Sequence, residues 1–177
     1  YDFIMQTDGM FYIDGTVDTG NADYAEYFEW EDGNPDNEDR RGMSVVLGAN
    51  GKIKLATDSD NSSDIIGAIT GTPGVIGNSD NNHWAQKYQK DKFGANILNE
   101  DGTKKLNPDF DINIQWPDGP PTKEKDAESG HIPRAQRKEW GIVGLLGQVM
   151  ILKDTPKGDR WLNLHTTKED CEKWLIR

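Results

Sequence analysis

Ile142-Val-Gly-Leu-Leu-Gly-Gln-Val-Met-Ile-Leu152 is the most apolar stretch of the chain. Its glycines weaken a helix and suit a bulged or bent central strand. We read it as the core strand, and the shorter apolar runs around it as its neighbours. Residues 43–47 form a strand, Asn50-Gly51 is a hairpin signal, and residues 52–56 alternate polar and apolar as the return strand. Ile65-Ile-Gly-Ala-Ile69, residues 93–98 and Trp161-Leu-Asn-Leu164 read as further strands, and Leu106 begins an extended run to Trp116. Nineteen Gly and eight Pro, with many Asn and Asp, favour short strands and turns over long helices. Two short helices are expected. One spans Trp84 to Asp91, with Trp84 and Tyr88 on one face. The other is terminal, with Thr167 as N-cap, Glu169 and Asp170 in its first turn, and Arg177 at its basic end. Residues 117–130, with Asp118-Gly-Pro-Pro121 and an alternating-charge run, read as an exposed linker. The fold class is therefore mainly β: a single compact β-rich domain with long loops and one or two short helices.

Working outward, the most unusual segment is Asn21-Ala-Asp-Tyr-Ala-Glu-Tyr-Phe-Glu-Trp-Glu-Asp-Gly-Asn-Pro35. Aromatic side chains seek burial, and carboxylates resist it. A segment with both demands can hold an acid in a partly dry site. Spacing alone favours a plainer structure: Asp23-x-x-Glu26 reads as a capping box on a short helix ended by Gly33 and Pro35. Geometry separates the two readings. In a helix Asp23 and Glu26 share a face, whereas in a strand they point to opposite faces.

A chain of 177 residues suits one domain, or one domain with a short appended piece. Its 34% hydrophobic content and mean hydropathy of -0.82 allow only a lean core, which oligomerisation would supplement. The net charge of -11 argues against nucleic acid and anionic membrane as partners. Charge this dense between Asp23 and Asp39 demands pairing, protonation or a partner subunit. A single cysteine, Cys171, excludes an intramolecular disulfide framework and a Cys-based zinc site. No apolar run approaches a membrane span, and Tyr1 opens no signal peptide; with a first residue other than Met, the chain reads as a piece of a longer protein. Residues 1–20 read as strand, turn and strand, with Phe11-Tyr-Ile13 before Asp14-Gly15 and Thr16-Val-Asp18 after it.

No metal or nucleotide motif in the chain is complete. Asp32, Asn34 and Asp36 fit the first places of a calcium loop, but Asn37 stands where Gly is needed and Met43 where a bidentate Glu belongs. Asp58, Asp60 and Ser62 fail likewise. His83, His131 and His165 have no metal-ligand spacing, so no metal site is expected. Gly71-Thr-Pro-Gly74 is followed by no Gly-Lys-Ser/Thr and is not a P-loop.

Several segments together carry a family resemblance. They are Asp23-Tyr-Ala-Glu-Tyr-Phe-Glu-Trp-Glu-Asp-Gly-Asn34, Ile66-Gly-Ala-Ile-Thr-Gly-Thr-Pro-Gly-Val-Ile-Gly-Asn-Ser79, and Leu106-Asn-Pro-Asp-Phe-Asp111. Ile132-Pro-Arg134, Glu139-Trp140, Val143-Gly144 and Leu146-Gly147 complete the set. In order and spacing the chain resembles the peptidase G2 family, the autoproteolytic intramolecular-chaperone domains at the C-terminus of bacteriophage tailspike and neck-appendage proteins. The resemblance implies a homotrimer that helps an upstream spike of the same chain to fold and then cuts itself off. It implies that residues 1–22 are the C-terminal end of that spike, a terminal β-helix-like rung, and that residues 23–177 are the chaperone domain. The scissile bond maps to Ala22–Asp23, with Asn21–Ala22 as the near alternative, and the acidic motif to Asp23 and Glu26. Assembly would take place in the host bacterial cytoplasm, with the mature spike on the virion and this domain released.

The implied chemistry needs a nucleophile at a carbonyl and an acid at the leaving amine. Two carboxylates can divide these roles: Glu26 among Tyr24, Tyr27 and Trp30 as proton donor, Asp23 activating water, or the reverse. No cofactor is required. A nucleotide such as ATP is a second expectation as effector, with Arg134, Arg137 and Lys138 beside Trp140 as a phosphate-and-base site. A basic, solvated start of a strand accounts for the same residues more simply. The alternatives for the whole chain are a non-catalytic trimeric tip that binds a host-surface glycan, and a structural trimerisation cap.

Overall fold

The computed structural model describes residues 3–5, 11–79, 88–108 and 133–177. These residues form a mainly β structure. Its strands are β1 (Phe3–Met5), β2 (Phe11–Ile13), β3 (Asp23–Glu29), β4 (Ser44–Leu47), β5 (Ile53–Leu55), β6 (Ile65–Ile69), β7 (Val75–Gly77), β8 (Trp140–Leu152), β9 (Leu162–Lys168) and β10 (Cys171–Ile176). Short 3-10 turns at Ala49–Gly51, Ser62–Asp64 and Arg134–Gln136 are the helical segments among the described residues. β1 and β2 pair antiparallel as a two-stranded sheet of their own. The other eight strands share one sheet, in the order β5-β4-β6-β8-β10-β9, with β3 joined to β8 and β7.

β8, the stretch read as the core strand, is the hub. It is antiparallel to β3 over Trp140–Gly147, to β10 over Gly147–Leu152, and to β6 at Val143 and Gly144. The register with β3 skips Leu145, so the expected bulge is present between the partners of Tyr24 and Ala25. Close approach of β6 is permitted by Gly67. A Cβ there would overlap the Gly144 carbonyl oxygen and lie 2.6 Å from Val143 Cγ1.

The sheet carries a buried cluster on each face. Successive residues of a strand point to opposite faces. Val45 packs with Trp30, Ile53, Ile69 and Val143, while Val46 packs with Ile65, Val149, Ile151, Trp161 and Ile176. The β4–β5 turn has Asn50 and Gly51 at φ 58° and 73°, as the Asn-Gly signal requires. Beside the sheet, residues 88–106 form a small exposed meander, bridged at Tyr88–Leu106, Lys90–Asn96 and Leu98–Lys104.

Three expectations are corrected. The capping-box helix at Asp23 is strand β3, because seven residues pair with β8 and bury Ala25 and Tyr27 in alternation. The terminal helix is the β9–β10 hairpin. Glu169 takes φ 55° in a two-residue turn, and β10 pairs with β8 on one edge and β9 on the other. Tertiary pairing overrides local propensity in both places. Thr16-Val-Asp18 forms no strand, since β2 finds its partner upstream in β1. The linker at 117–130, the start of the Trp84 helix, the run beyond Pro108, His83, His131 and Ile132 lie outside the described residues.

Substituting glycine separates steric from conformational cost. Gly67→Ala is expected to cost about 3 kcal/mol, because backbone must move. Gly51→Ala, in open space at positive φ, is expected to cost only about 1–2 kcal/mol. Urea unfolding of the two variants checks the difference.

Candidate functional site

The acids of residues 21–35 acquire partners as the chain folds, with one exception. Glu29 pairs with Lys52 at 2.8 Å, and Glu31 accepts the Ala49 N–H at 3.2 Å. Asp32 holds Arg40 through two hydrogen bonds of 3.0 and 2.6 Å. Arg40 is only 7% exposed, also binds Glu38, and stacks 4.5 Å over the Trp30 ring. The Asp32 to Arg40 loop, tested above as a calcium loop, is thus wrapped around a guanidinium. Glu26 accepts the Tyr24 hydroxyl at 2.5 Å, a bond that raises the tyrosine pKa.

Asp23 is the exception. It is 5% exposed, and its Oδ2 meets no hydrogen-bond donor among the described residues. A buried carboxyl oxygen without a donor is costly to desolvate. Asp23 opens β3, and its inward direction follows from the alternation that also buries Ala25 and Tyr27. Beneath it Gly144 leaves room: a Cβ there would lie 3.3 Å from Asp23 Oδ2.

The peptide leading into Asp23 is closely held. Residues 19–23 pass between two glycines. A Cβ on Gly74 would fall 2.6 Å from the Asn21 carbonyl oxygen. A Cβ on Gly147, at φ 105°, would overlap the Ala22 carbonyl oxygen and lie 2.9 Å from Asp23 Cα. The Gln148 N–H donates to the Ala22 carbonyl at 3.4 Å, and the Gly74 N–H to the Asp23 carbonyl at 2.8 Å. The Thr19 hydroxyl donates to the Asn21 carbonyl at 2.8 Å. A cavity of about 230 Å³ opens beside this segment, lined in part by Ala22, Asp23, Thr70, Gln148 and Lys173.

Within one chain, β3 sends Asp23 and Glu26 to opposite faces: Asp23 inward, Glu26 beside Tyr24 on the outer face. Of the four residues read as a nucleotide site, the two arginines meet the tryptophan. Arg134 and Arg137 lie 4.1 and 5.6 Å over the Trp140 ring. Each cation is already engaged: Arg134 with Asn78, Arg137 with Glu139, and Lys138 with the Pro35 carbonyl.

Residues 3–174 match the family described as Peptidase G2, IMC autoproteolytic cleavage domain. The chain belongs to this family. It is 36% identical over 153 residues to the preneck appendage protein of Bacillus phage PZA, covering 80% of this chain and 15% of that protein. Identity to the pre-neck appendage protein of Bacillus phage phi29 is 36% over 145 residues, covering 78% and 15%. The chain spans about 15% of the length of these curated relatives. The crystal structure of pre-mature phi29 gene product 12 matches with a TM-score of 0.67 at 26% identity, over 99% of this chain and 24% of that one. A C-terminal fragment of the same gene product matches at 0.58 and 29% identity, over 88% of this chain and all of the fragment.

The Peptidase G2 family is one of self-cleaving domains, and this member encloses a tightly held peptide next to a buried acid. Of the residues named from sequence, Ala22 and Asp23 line the cavity beside this peptide and Glu26 does not. Thr70, Gln148 and Lys173, which also line it, and the close approach of Gly74 and Gly147 to residues 21–23 were not read from sequence. A glycine in a bulged strand signals close backbone approach, but the element that approaches is visible only in three dimensions.

The Asp32–Arg40 pair gives this Peptidase G2 domain a defined acid response. Arg40 lowers the Asp32 pKa to about 2. A depressed carboxylate contributes stability above its ordinary pKa of 3.8 and loses it as pH falls towards about 2. Asp32 is 54% exposed, so solvent screening holds the contribution to about 1 kcal/mol. Asp32→Asn is expected to be less stable than the parent at about pH 6, with the gap closing as pH falls from about 4 towards 2. Urea midpoints across that range check it.

Proposed function

We propose that this chain is the intramolecular-chaperone domain of a phage appendage protein, which trimerises, assists folding of the spike upstream, and then cuts itself free at Ala22–Asp23. The observation that carries the reading is the buried Asp23 carboxyl, short of a donor, on the residue whose backbone nitrogen is the leaving amine. Residues 1–22 stay with the spike, and residues 23–177 leave. Assembly belongs to the host bacterial cytoplasm, and the finished spike to the virion.

The reaction is hydrolysis. Water adds to the Ala22 carbonyl carbon, one carboxylate takes a water proton, and the other group supplies a proton to the Asp23 nitrogen as the C–N bond breaks. Strand alternation supports a division between subunits. Glu26 shares the outer face of β3 with Tyr24, and that face carries an apolar row. Leu146, Tyr24 and Val75 are register partners on β8, β3 and β7, and are 56%, 38% and 49% exposed. Exposed rows of this kind mark protein interfaces. A second copy seated on the row receives Glu26 at its own Asp23 site, so assembly completes the catalytic pair.

Asp23→Asn and Glu26→Gln are each expected to slow self-cleavage by about 100-fold or more. Mass spectrometry of the fragments reads the rate and the bond. Full-speed cutting by either variant removes that acid from the mechanism. Co-expressing the two variants tests the division: mixed assemblies cut the Glu26→Gln chain if a neighbour supplies the glutamate, and leave it intact if the pair lies within one chain. Leu146→Glu is expected to give monomers by sedimentation and to abolish cutting.

A further inference from the structure

Two carbonyls compete to be the electrophile, those of Asn21 and Ala22, and their surroundings differ. The Asn21 oxygen already has a hydroxyl donor at 2.8 Å from Thr19. The Ala22 oxygen has a backbone donor, the Gln148 N–H, at the longer distance of 3.4 Å. Gly147 brings that donor into place. At φ 105° its missing side chain leaves the space the Ala22 carbonyl occupies, and any L side chain would overlap the oxygen. Leu145, skipped in the register with β3, lies just upstream and aims this part of β8 at residue 22.

Catalysis follows from interactions that strengthen between ground state and transition state. A hydrogen bond at full strength in the ground state has little left to gain. A long one, fixed in direction and aimed at an oxygen about to become negative, has more. On that ground we propose that Gly147 and Gln148 form a backbone oxyanion clamp, in which the Gln148 N–H stabilises the negative oxygen formed at Ala22 and thereby directs the cut to Ala22–Asp23 rather than Asn21–Ala22. The proposal rests on the self-cleavage reading above and adds the group that holds the charge.

The step balances with water as the only co-reactant. Addition of the water oxygen to the Ala22 carbon moves the carbonyl π pair onto oxygen, where the Gln148 N–H meets it. The displaced water proton goes to a carboxylate. Collapse restores the C=O bond, breaks the bond to the Asp23 nitrogen, and delivers a proton to that nitrogen. The products end in an Ala22 carboxyl and begin with an Asp23 amine. The Gln148 N–H transfers no proton; it speeds cutting at the one carbonyl it meets and so favours that bond.

The decisive test replaces the peptide N–H of Gln148 by an ester oxygen, by incorporating the α-hydroxy analogue of glutamine into the full chain. Side chain and bulge remain, and only the donor and the basicity of one carbonyl change. The same ester at Ile151 controls for loss of a backbone donor in β8. The fragment beginning at Asp23 is followed by mass spectrometry. The clamp predicts a fall of about 100-fold for the ester at 148 and parent-like cutting for the ester at 151. Parent-like cutting by the ester at 148, or an equal loss in both esters, overturns it. A parent chain that cuts elsewhere, or not at all, overturns the reading beneath instead. Gly147→Ala adds a simpler arm: folded protein that cuts at the parental rate also refutes the clamp.

Discussion

Close backbone contact along β8 is the constraint on which the structure depends. A 13-residue strand accepts β3, β6 and β10, and two of the closest backbone approaches fall at glycines. At Gly67 the absent Cβ lets β6 reach the Gly144 carbonyl, and at Gly147 it lets the start of β3 reach β8. The first contact joins the two buried clusters through one sheet. The second pins the peptide before Asp23. Sheet assembly and the site geometry therefore share one strand, which supplies core residues on both sides of the Leu145 bulge, Val143 before it and Val149 and Ile151 after it, and holds residue 22 between them at Gly147.

Electrostatics is the second constraint. A net charge of -11 concentrated near residues 23–39 opposes compaction. The chain answers with local pairing: Lys52 for Glu29, Arg40 for Asp32 and Glu38, and Arg41 for Asp39. Arg40 does most, because its buried guanidinium also covers the Trp30 ring. Against that background the bare Oδ2 of Asp23 stands out. A chain able to pair acids a few residues away gives this oxygen no donor among the described residues, beside a cavity and a closely held peptide.

Much of this was legible in sequence, for identifiable reasons. β8 announced itself by apolar content with interrupting glycines, and the β4–β5 hairpin by Asn50-Gly51, whose left-handed backbone few other pairs accept. Asp23 and Glu26 emerged from aromatic and acidic crowding together with the family resemblance. The failures share one cause. Asp23-x-x-Glu26 and Thr167 with Glu169 carry true helix-start chemistry, but both segments lie along edges of β8, where pairing and burial of Tyr27 and Ile176 outweigh a cap of about 1 kcal/mol. The Gln148 N–H was invisible for a different reason: a backbone donor has no residue type, and its acceptor is far away in the chain.

That distance bears on how folding and cutting are ordered. In the proposed mechanism the Ala22 carbonyl meets its donor only when β3 has paired with the far end of β8, and contacts of such sequence separation form late, after loop-closure entropy has been met. An unfolded chain has the acids but no clamp. A folded monomer has the clamp and Asp23, but its own Glu26 faces away. On the proposed mechanism, all three groups meet at one bond only in an assembled set of folded chains. The alternation of a single β-strand, which sends residues three apart to opposite sides, is then sufficient to make the cut report on both folding and association, with no separate switch.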